Sequence, residues 1–216
     1  MTENIQVFGQ NFIRFTAGDK VVYVDPFRSE SSPNDADFIF ITHDHYDHFS
    51  PEDIRRTACG RTVLIVPGTM EEKAEQVRPF VADIFKVDPA VCYELQGIEF
   101  ETVPAYNVLK PFHPLLAGWV GYVINADGVR IYVAGDTDAT REAKAVRCDV
   151  ALLPVGGKYT MNAKQAAGLA NLIRPKAAIP VHYGSVVGSE EDGLEFERLV
   201  DPAIKVVFKI PFGKKD

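Results

Sequence analysis

Side chains that can bind a metal ion are concentrated between residues 43 and 48, where three of the five histidines of the chain and two aspartates occur. In an extended segment side chains alternate in direction, so His43, His45 and Asp47 can point to one side. His48 can join them where the chain turns toward the next helix. Imidazole and carboxylate ligands suit zinc, manganese, iron or nickel, and the run has no cysteine that would indicate a closed structural zinc site. The run therefore predicts a metal site of the kind used in catalysis.

Two further ligand-type residues follow apolar segments later in the chain. Asp136 lies in a Gly-Asp-Thr triplet after Ile131–Ala134, and His182 follows Ala177–Val181. Each has an ordinary explanation when it is taken alone, which is a turn for Asp136 and a packed core histidine for His182. The repeated pattern of an apolar strand followed by a ligand-type residue favours a shared site, because open sheets place such sites at strand ends.

The elements around these residues predict how they are positioned. The segment Phe38–Thr42 is apolar up to its threonine, which is typical of a strand buried on both faces. Ser50, followed by a proline and two acids, predicts the start of a helix, and a second helix is predicted from about Ala163 to Ile173. Strands and helices alternate similarly in both halves of the chain. We therefore expect two packed sheets with helices outside, in one domain spanning residues 1–216.

Composition limits the class of protein. The chain has 216 residues, of which 46% are hydrophobic and 25% charged, which suits a globular domain with a sizeable core. A net charge of −7 argues against binding a phosphate backbone, so no nucleic-acid partner is expected. Its three cysteines lack a paired spacing, so no disulfide framework is predicted. Without a signal-like start or an apolar run of roughly 20 residues, a cytoplasmic protein with no membrane partner is expected. Assembly into homo-oligomers is left open.

Taken in order, the runs HDHYDH, GDT and PVHYG resemble the metallo-β-lactamase superfamily of metal-dependent hydrolases. The HxHxDH run is the specific part of this resemblance. The sequences VDP at 24–26, ALLPVGG at 151–157 and YTM at 159–161 resemble the branch that contains ascorbate-6-phosphate lactonase-like proteins. The resemblance covers nearly the whole chain. It implies an α/β (α+β) fold built as a four-layer αββα sandwich, the metallo-β-lactamase fold.

The resemblance also implies a role for each ligand-type residue. The implied ligands of two divalent ions are His43 and His45 for the first, Asp47, His48 and His182 for the second, and Asp136 as the bridge between them. Zinc is the expected metal, with manganese, nickel and iron as alternatives. The ions would share a hydroxide, because bound metal lowers the pKa of water to roughly 7, and Asp47 and His48 would be the catalytic residues. The implied reaction is hydrolysis of a small ester, lactone or phosphodiester.

One stretch departs from the superfamily pattern. A loop between the HxHxDH run and the Gly-Asp pair usually supplies another histidine to the first metal, whereas the matching stretch here offers Tyr106. A phenol with an ordinary pKa near 10 binds metal only when the ion helps to deprotonate it. His113 is the remaining unassigned histidine, so either Tyr106 or His113 is expected to be an additional ligand or to support one. Lys110 and Tyr159 are candidate substrate contacts.

Two alternative functions stay open at this point. A nuclease of the same superfamily is the enzymatic alternative, and the acidic net charge weighs against it. A non-hydrolytic protein that binds metal or a small ligand is the other alternative, and the tyrosine in place of the expected histidine keeps it open.

Overall fold

In the described part of the chain the first sheet contains six strands, and their order across the sheet follows their order in the chain. The computed structural model describes residues 1–210. The strands are β1 (Gln6–Gly9), β2 (Phe12–Ala17), β3 (Lys20–Val24), β4 (Ala36–Phe40), β5 (Ala58–Pro67) and β6 (Asp83–Val87). Strands β1 to β3 are antiparallel, and β3 to β6 are parallel.

The second sheet contains seven strands among residues 1–210, which also lie side by side in chain order. They are β7 (Cys92–Leu95), β8 (Ile98–Pro104), β9 (Val120–Ala126), β10 (Val129–Val133), β11 (Val150–Pro154), β12 (Ala177–Val181) and β13 (Lys205–Val206). The first four strands form an antiparallel meander, and β10 to β13 are parallel. Both sheets therefore change from antiparallel to parallel pairing along the chain.

Within residues 1–210, five α-helices cover the outer faces of the sheets. They are α1 (Pro51–Thr57), α2 (Glu71–Ala74), α3 (Arg141–Ala145), α4 (Ala163–Ile173) and α5 (Glu190–Leu199). Ser50 caps α1, and Asn162 and Gln165 form a reciprocal capping box at the start of α4. Both helices begin where the sequence predicts them. None of the helices in residues 1–210 is long and apolar enough to cross a membrane.

The apolar residues of β4 show how the layers form. Phe38 and Phe40 belong to the core between the two sheets, whereas Ile39 and Ile41 belong to the core between the first sheet and its helices. Successive strand residues point to opposite faces, so a continuous apolar run buries both faces of the strand. A third core lies between the second sheet and its helices, and it includes Phe196 of α5. The αββα sandwich is thus confirmed.

Short elements escaped the sequence prediction. Strand β1 and helix α3 contain four and five residues, too few to display a hydrophobic period. The apolar segment Ile204–Ile210 predicts a full strand, but only Lys205–Val206 pairs with β12. Residues 211–216 of the expected domain lie outside the described residues.

Candidate metal centre

The ends of parallel strands bring the ligand-type residues together at one edge of the sandwich. His43 lies shortly after β4, Asp136 shortly after β10 and His182 directly after β12. The two sheets are joined at this edge, because the Tyr122 hydroxyl donates to the Ile41 carbonyl at 2.7 Å. His43, Asp136 and His182 are each at most 5% exposed. The cluster is therefore a buried feature of the fold.

The first group of potential ligands consists of three histidines, His43, His45 and His113. The Nε2 atom of His43 lies 3.1 Å from Nδ1 of His45. The ring of His113 lies with its centroid 4.8 Å from that of His45, and its Nδ1 atom lies 2.9 Å from the Asn107 side-chain oxygen. When Nδ1 donates to Asn107, the Nε2 atom of His113 is left to bind an ion.

The second group consists of Asp47, His48 and His182. The Nε2 atoms of His48 and His182 are 3.2 Å apart. The Oδ2 atom of Asp47 lies 3.5 Å from Nε2 of His182 and 3.7 Å from Nε2 of His48. These three residues are thus arranged around a single point, as the resemblance implies for the second metal ion.

Asp136 lies between the two groups. Its Oδ1 atom lies 3.1 Å from Nε2 of His182 and 3.3 Å from Nε2 of His48. Its Oδ2 atom lies 3.4 Å from Nε2 of His113, on the side of the first group. One carboxylate oxygen therefore faces each group, which is the arrangement required of a bridging ligand.

The electrostatics of the second group favour bound positive charge. Burial alone would lower the pKa of His48 and His182. Asp136 and Asp25 together outweigh burial at His48, whose pKa lies well above its ordinary value. Asp136 and Asp47 together outweigh it at His182, whose pKa is raised to about 9. Burial would raise the pKa of both carboxyl groups, but the neighbouring histidines outweigh it. They lower the pKa of Asp47 to about 2 and hold that of Asp136 well below its usual range. Burial and the charge of His48 lower the pKa of His43.

The donor set fits divalent transition-metal ions. Nitrogen ligands about 2.1 Å from a tetrahedral zinc ion lie about 3.4 Å from one another. The His43–His45 donor pair is 3.1 Å apart, and the three donor pairs of the second group are 3.2–3.7 Å apart. Two buried atoms, Nε2 of His113 and Oδ1 of Asp136, have no hydrogen-bond partner of acceptable geometry within residues 1–210. Because unpaired buried polar atoms are costly, ions bound at the two groups would satisfy these atoms.

Tyr106 and His113, which the sequence left as alternatives, are placed differently. His113 is 1% exposed and lies in the first group. The Tyr106 hydroxyl instead donates to Glu142 at 2.9 Å, and this bond raises the pKa of the phenol. A phenol held in this way is harder to deprotonate for metal binding. Tyr106 therefore does not join the cluster, because its side chain is directed toward α3.

The two candidate substrate contacts lie beside the loop that carries His113. The Lys110 ammonium group donates to the Asp138 carboxylate and to the Thr160 carbonyl, so its charge is already paired. The Tyr159 carbonyl accepts a hydrogen bond from Asn107, and the Tyr159 ring packs edge-on against Phe112. Both residues support the loop, and their contact with a substrate stays a prediction.

Asp25 organises the cluster from behind, a role that the sequence did not reveal. It is fully buried and accepts hydrogen bonds from the backbone and hydroxyl of Thr42, from Asn11 and from Nδ1 of His48. Because the Thr42 hydroxyl donates to Asp25, it accepts from Nδ1 of His43, 3.0 Å away. Both imidazoles thus present Nε2 to the cluster. In the sequence, Asp25 stood out only as part of the VDP run at 24–26, which indicated a family branch and not a contact with His48.

We expect Asp25→Asn to weaken metal binding by about 10–100-fold, the usual cost of losing the partner of a metal ligand. The asparagine amide N–H would replace a carboxylate oxygen and face other hydrogen-bond donors. The free energy of unfolding should therefore also fall by about 1–3 kcal/mol. Metal titration and thermal unfolding would measure the two effects. Asp19→Asn is the control, because the Asp19 side chain is 88% exposed, and equal effects of the two variants would contradict the role of Asp25.

Gly156 fixes the backbone of His182. A Cβ atom at position 156 would clash with the His182 carbonyl oxygen and lie 2.8 Å from Cγ2 of Val187. We expect Gly156→Ala to lower the free energy of unfolding by about 1–3 kcal/mol, as overpacking does. Gly168→Ala is the control, since no described atom lies within 4 Å of a Cβ there. In helix α4 that change should stabilise the protein by about 0.5–1 kcal/mol. Thermal denaturation would measure both variants. Melting temperatures equal to that of the wild type for both would contradict the prediction.

Comparisons with known proteins agree with this fold. A family model described as a β-lactamase superfamily domain matches residues 4–182. A UPF0173 metal-dependent hydrolase of Methanopyrus kandleri is 32% identical over 83% of this chain and 84% of its own length. Another from Pyrococcus furiosus is 30% identical over 91% of this chain and 92% of its own. The superfamily resemblance is confirmed, and the finer resemblance to ascorbate-6-phosphate lactonase-like proteins stays a prediction.

Solved structures give the same result. A protein from Parabacteroides distasonis, described as a metal-dependent hydrolase, superposes with a TM-score of 0.79 at 28% identity, over 96% of this chain and 93% of its own. A metallo hydrolase of Ignicoccus hospitalis superposes with a TM-score of 0.76 at 24% identity, over 96% and 94% of the two chains. The second similarity is one of fold.

Proposed function

The chain belongs to the β-lactamase superfamily domain family and is a metal-dependent hydrolase, and from this premise we propose that it uses two divalent ions to hydrolyse a small ester, lactone or phosphodiester. The observation that carries the proposal is the position of Asp136. Its Oδ1 atom faces His48 and His182 of the second group, and its Oδ2 atom faces His113 of the first. A site for one ion would need only one of these groups.

The proposed ligands are nitrogen and oxygen atoms, with His43, His45 and His113 for the first ion and Asp47, His48 and His182 for the second. This donor set supports zinc as the first expectation, with manganese, nickel or iron as alternatives. When bound, such ions polarise a carbonyl or phosphoryl oxygen and lower the pKa of water to about 7.

The protein residues hold the site and limit access to it. Asp47, whose pKa is lowered to about 2, is a carboxylate at neutral pH. Asp47 therefore acts in catalysis by holding negative charge at the second ion rather than by donating a proton, and His48 acts beside it as a ligand of that ion. His45 is half-buried, whereas the other four histidines are buried. We place the substrate on the His45 side, where Trp119 packs 5.0 Å from its ring.

The decisive experiment combines metal analysis with activity. The purified protein is analysed for bound transition metals and assayed against a panel of lactones, esters and phosphodiesters, before and after chelation. We expect two ions per chain and hydrolysis that disappears on chelation and returns with added metal. Hydrolysis that survives complete metal removal would overturn the proposal. Fewer than one tightly bound ion, with no turnover, would favour a metal-binding or sensing protein.

A nucleic-acid substrate is the alternative within the superfamily. The net charge of −7 disfavours it, because binding a phosphate backbone depends on a basic surface. Single-stranded RNA and DNA belong in the same assay panel. Cleavage of either one faster than the small substrates would replace the small-molecule proposal with a nuclease.

A further inference from the structure

Gln10 reaches the metal cluster from the first sheet. It lies in the turn between β1 and β2, is 1% exposed, and has a left-handed backbone with φ of 49°. Its carbonyl accepts a hydrogen bond from the His182 backbone at 2.8 Å. This bond ties the first sheet to the strand end that carries a proposed ligand.

The side chain of Gln10 points into the second group. Its Nε2 atom donates to Oδ2 of Asp47 at 2.9 Å and lies 3.1 Å from Nε2 of His182. Its Oε1 atom is buried and has no hydrogen-bond partner within residues 1–210. Gln10 therefore combines two unfavourable features, a positive φ in a residue other than glycine and a buried side-chain carbonyl that is unpaired within residues 1–210. Local costs of this kind concentrate at functional sites.

Three proposed ligands of the cluster have a partner that fixes their orientation. Asp25 holds His48, Asn107 holds His113 and the Thr42 hydroxyl holds His43. Gln10 stands in the same relation to Asp47, because its amide N–H donates to the oxygen that faces the two histidines of the second group. Partners of ligating carboxylates govern metal affinity because a free carboxylate can rotate away from the ion.

We propose that Gln10 is a positioning residue for the second metal ion, acting through its hydrogen bond to Asp47. Removing this donor frees the Asp47 carboxylate and weakens binding of the second ion. The first ion, held by His43, His45 and His113, keeps its affinity. This role rests on one part of the proposed function, the binding of metal at the site. Its test therefore measures metal binding and does not need a known substrate.

The test is a competition titration of Zn²⁺ against a chromophoric chelator, which yields a dissociation constant for each ion. In Gln10→Leu we expect the second dissociation constant to rise by about 10–100-fold, and the first to change by less than about threefold. The absorption spectrum of the Co²⁺-loaded protein should change for the second equivalent only. Gln6→Leu is the matched control, because Gln6 is an exposed residue of the neighbouring strand β1, and it should match the wild type in both constants.

Gln10→Glu separates positioning from direct ligation. A carboxylate beside Asp47 lacks the N–H donor and repels the neighbouring charge, so the second ion should again bind more weakly. Tighter binding of the second ion in this variant would mean that residue 10 faces the ion itself, and would overturn the positioning role. Thermal unfolding of the metal-free variants checks that they remain folded.

A double-mutant cycle tests whether Gln10 acts through Asp47. In an Asp47→Ala background, Gln10→Leu should have no further effect on the second dissociation constant, because the group it positions is gone. Additive effects would contradict the inference. If the wild type binds two ions and Gln10→Leu leaves both constants unchanged, only this inference fails. If the wild type binds no metal, the proposed function fails as well.

Discussion

Asp136→Ala is expected to weaken the binding of both metal ions and to reduce hydrolysis by at least about 10³-fold, more than the 10–100-fold typical for losing the partner of a ligand. The reason is geometric, because one oxygen of Asp136 faces His113 and the other faces His48 and His182. Metal content by mass spectrometry, Zn²⁺ titration and turnover of the best substrate in the panel would measure the effect.

Two further variants make this prediction specific to a bridge. His113→Ala should weaken only the first ion, and His182→Ala only the second, because each residue belongs to one group. Circular dichroism of each variant checks the fold. An Asp136→Ala protein that binds one ion with the affinity of the wild type would show that the carboxylate serves a single site, and the bridging role would be abandoned.

Removal of the metal ions is expected to lower the melting temperature of the protein as well as its activity. Ions that bind only the folded chain stabilise it by about 4 kcal/mol at a free concentration 1,000 times the dissociation constant. In a domain of this size 1 kcal/mol shifts the melting temperature by about 2–4 °C, so a shift of about 8–16 °C for one such ion is expected between chelated and zinc-loaded protein. Differential scanning calorimetry on matched samples would measure it.

The controls for this experiment come from ligand chemistry and from the variants. Ca²⁺ prefers six to eight oxygen ligands, so it should not reproduce the shift at this nitrogen-rich site. Asp136→Ala should lose most of the zinc-dependent shift while retaining the stability of the chelated wild type. A melting temperature that does not respond to zinc in the wild type would argue against a buried metal pair in the folded protein.

Local sequence patterns predicted the elements that carry the site with good accuracy. The apolar run that became β4, the Ser50 cap and the Ala163–Ile173 helix depend on strand alternation, capping and helix period, and all three are properties of neighbouring residues. The short elements β1 and α3 carry no such period, and their position follows from packing against the sheets. The role proposed for Gln10 was not predictable from local patterns either, because Gln10 lies in the turn that follows the short strand β1.

The sequence by itself determined the ligand types and the family, because the run from His43 to His48 concentrates imidazole and carboxylate groups in six residues. Only the tertiary structure showed that His113 lies in the cluster while Tyr106 contacts Glu142, and only it revealed Asp25 behind the cluster. These contacts join segments 20 or more residues apart, and their geometry depends on how the two sheets pack and where each loop is anchored. Side-chain direction in such loops has no local period, so spacing along the chain does not predict it.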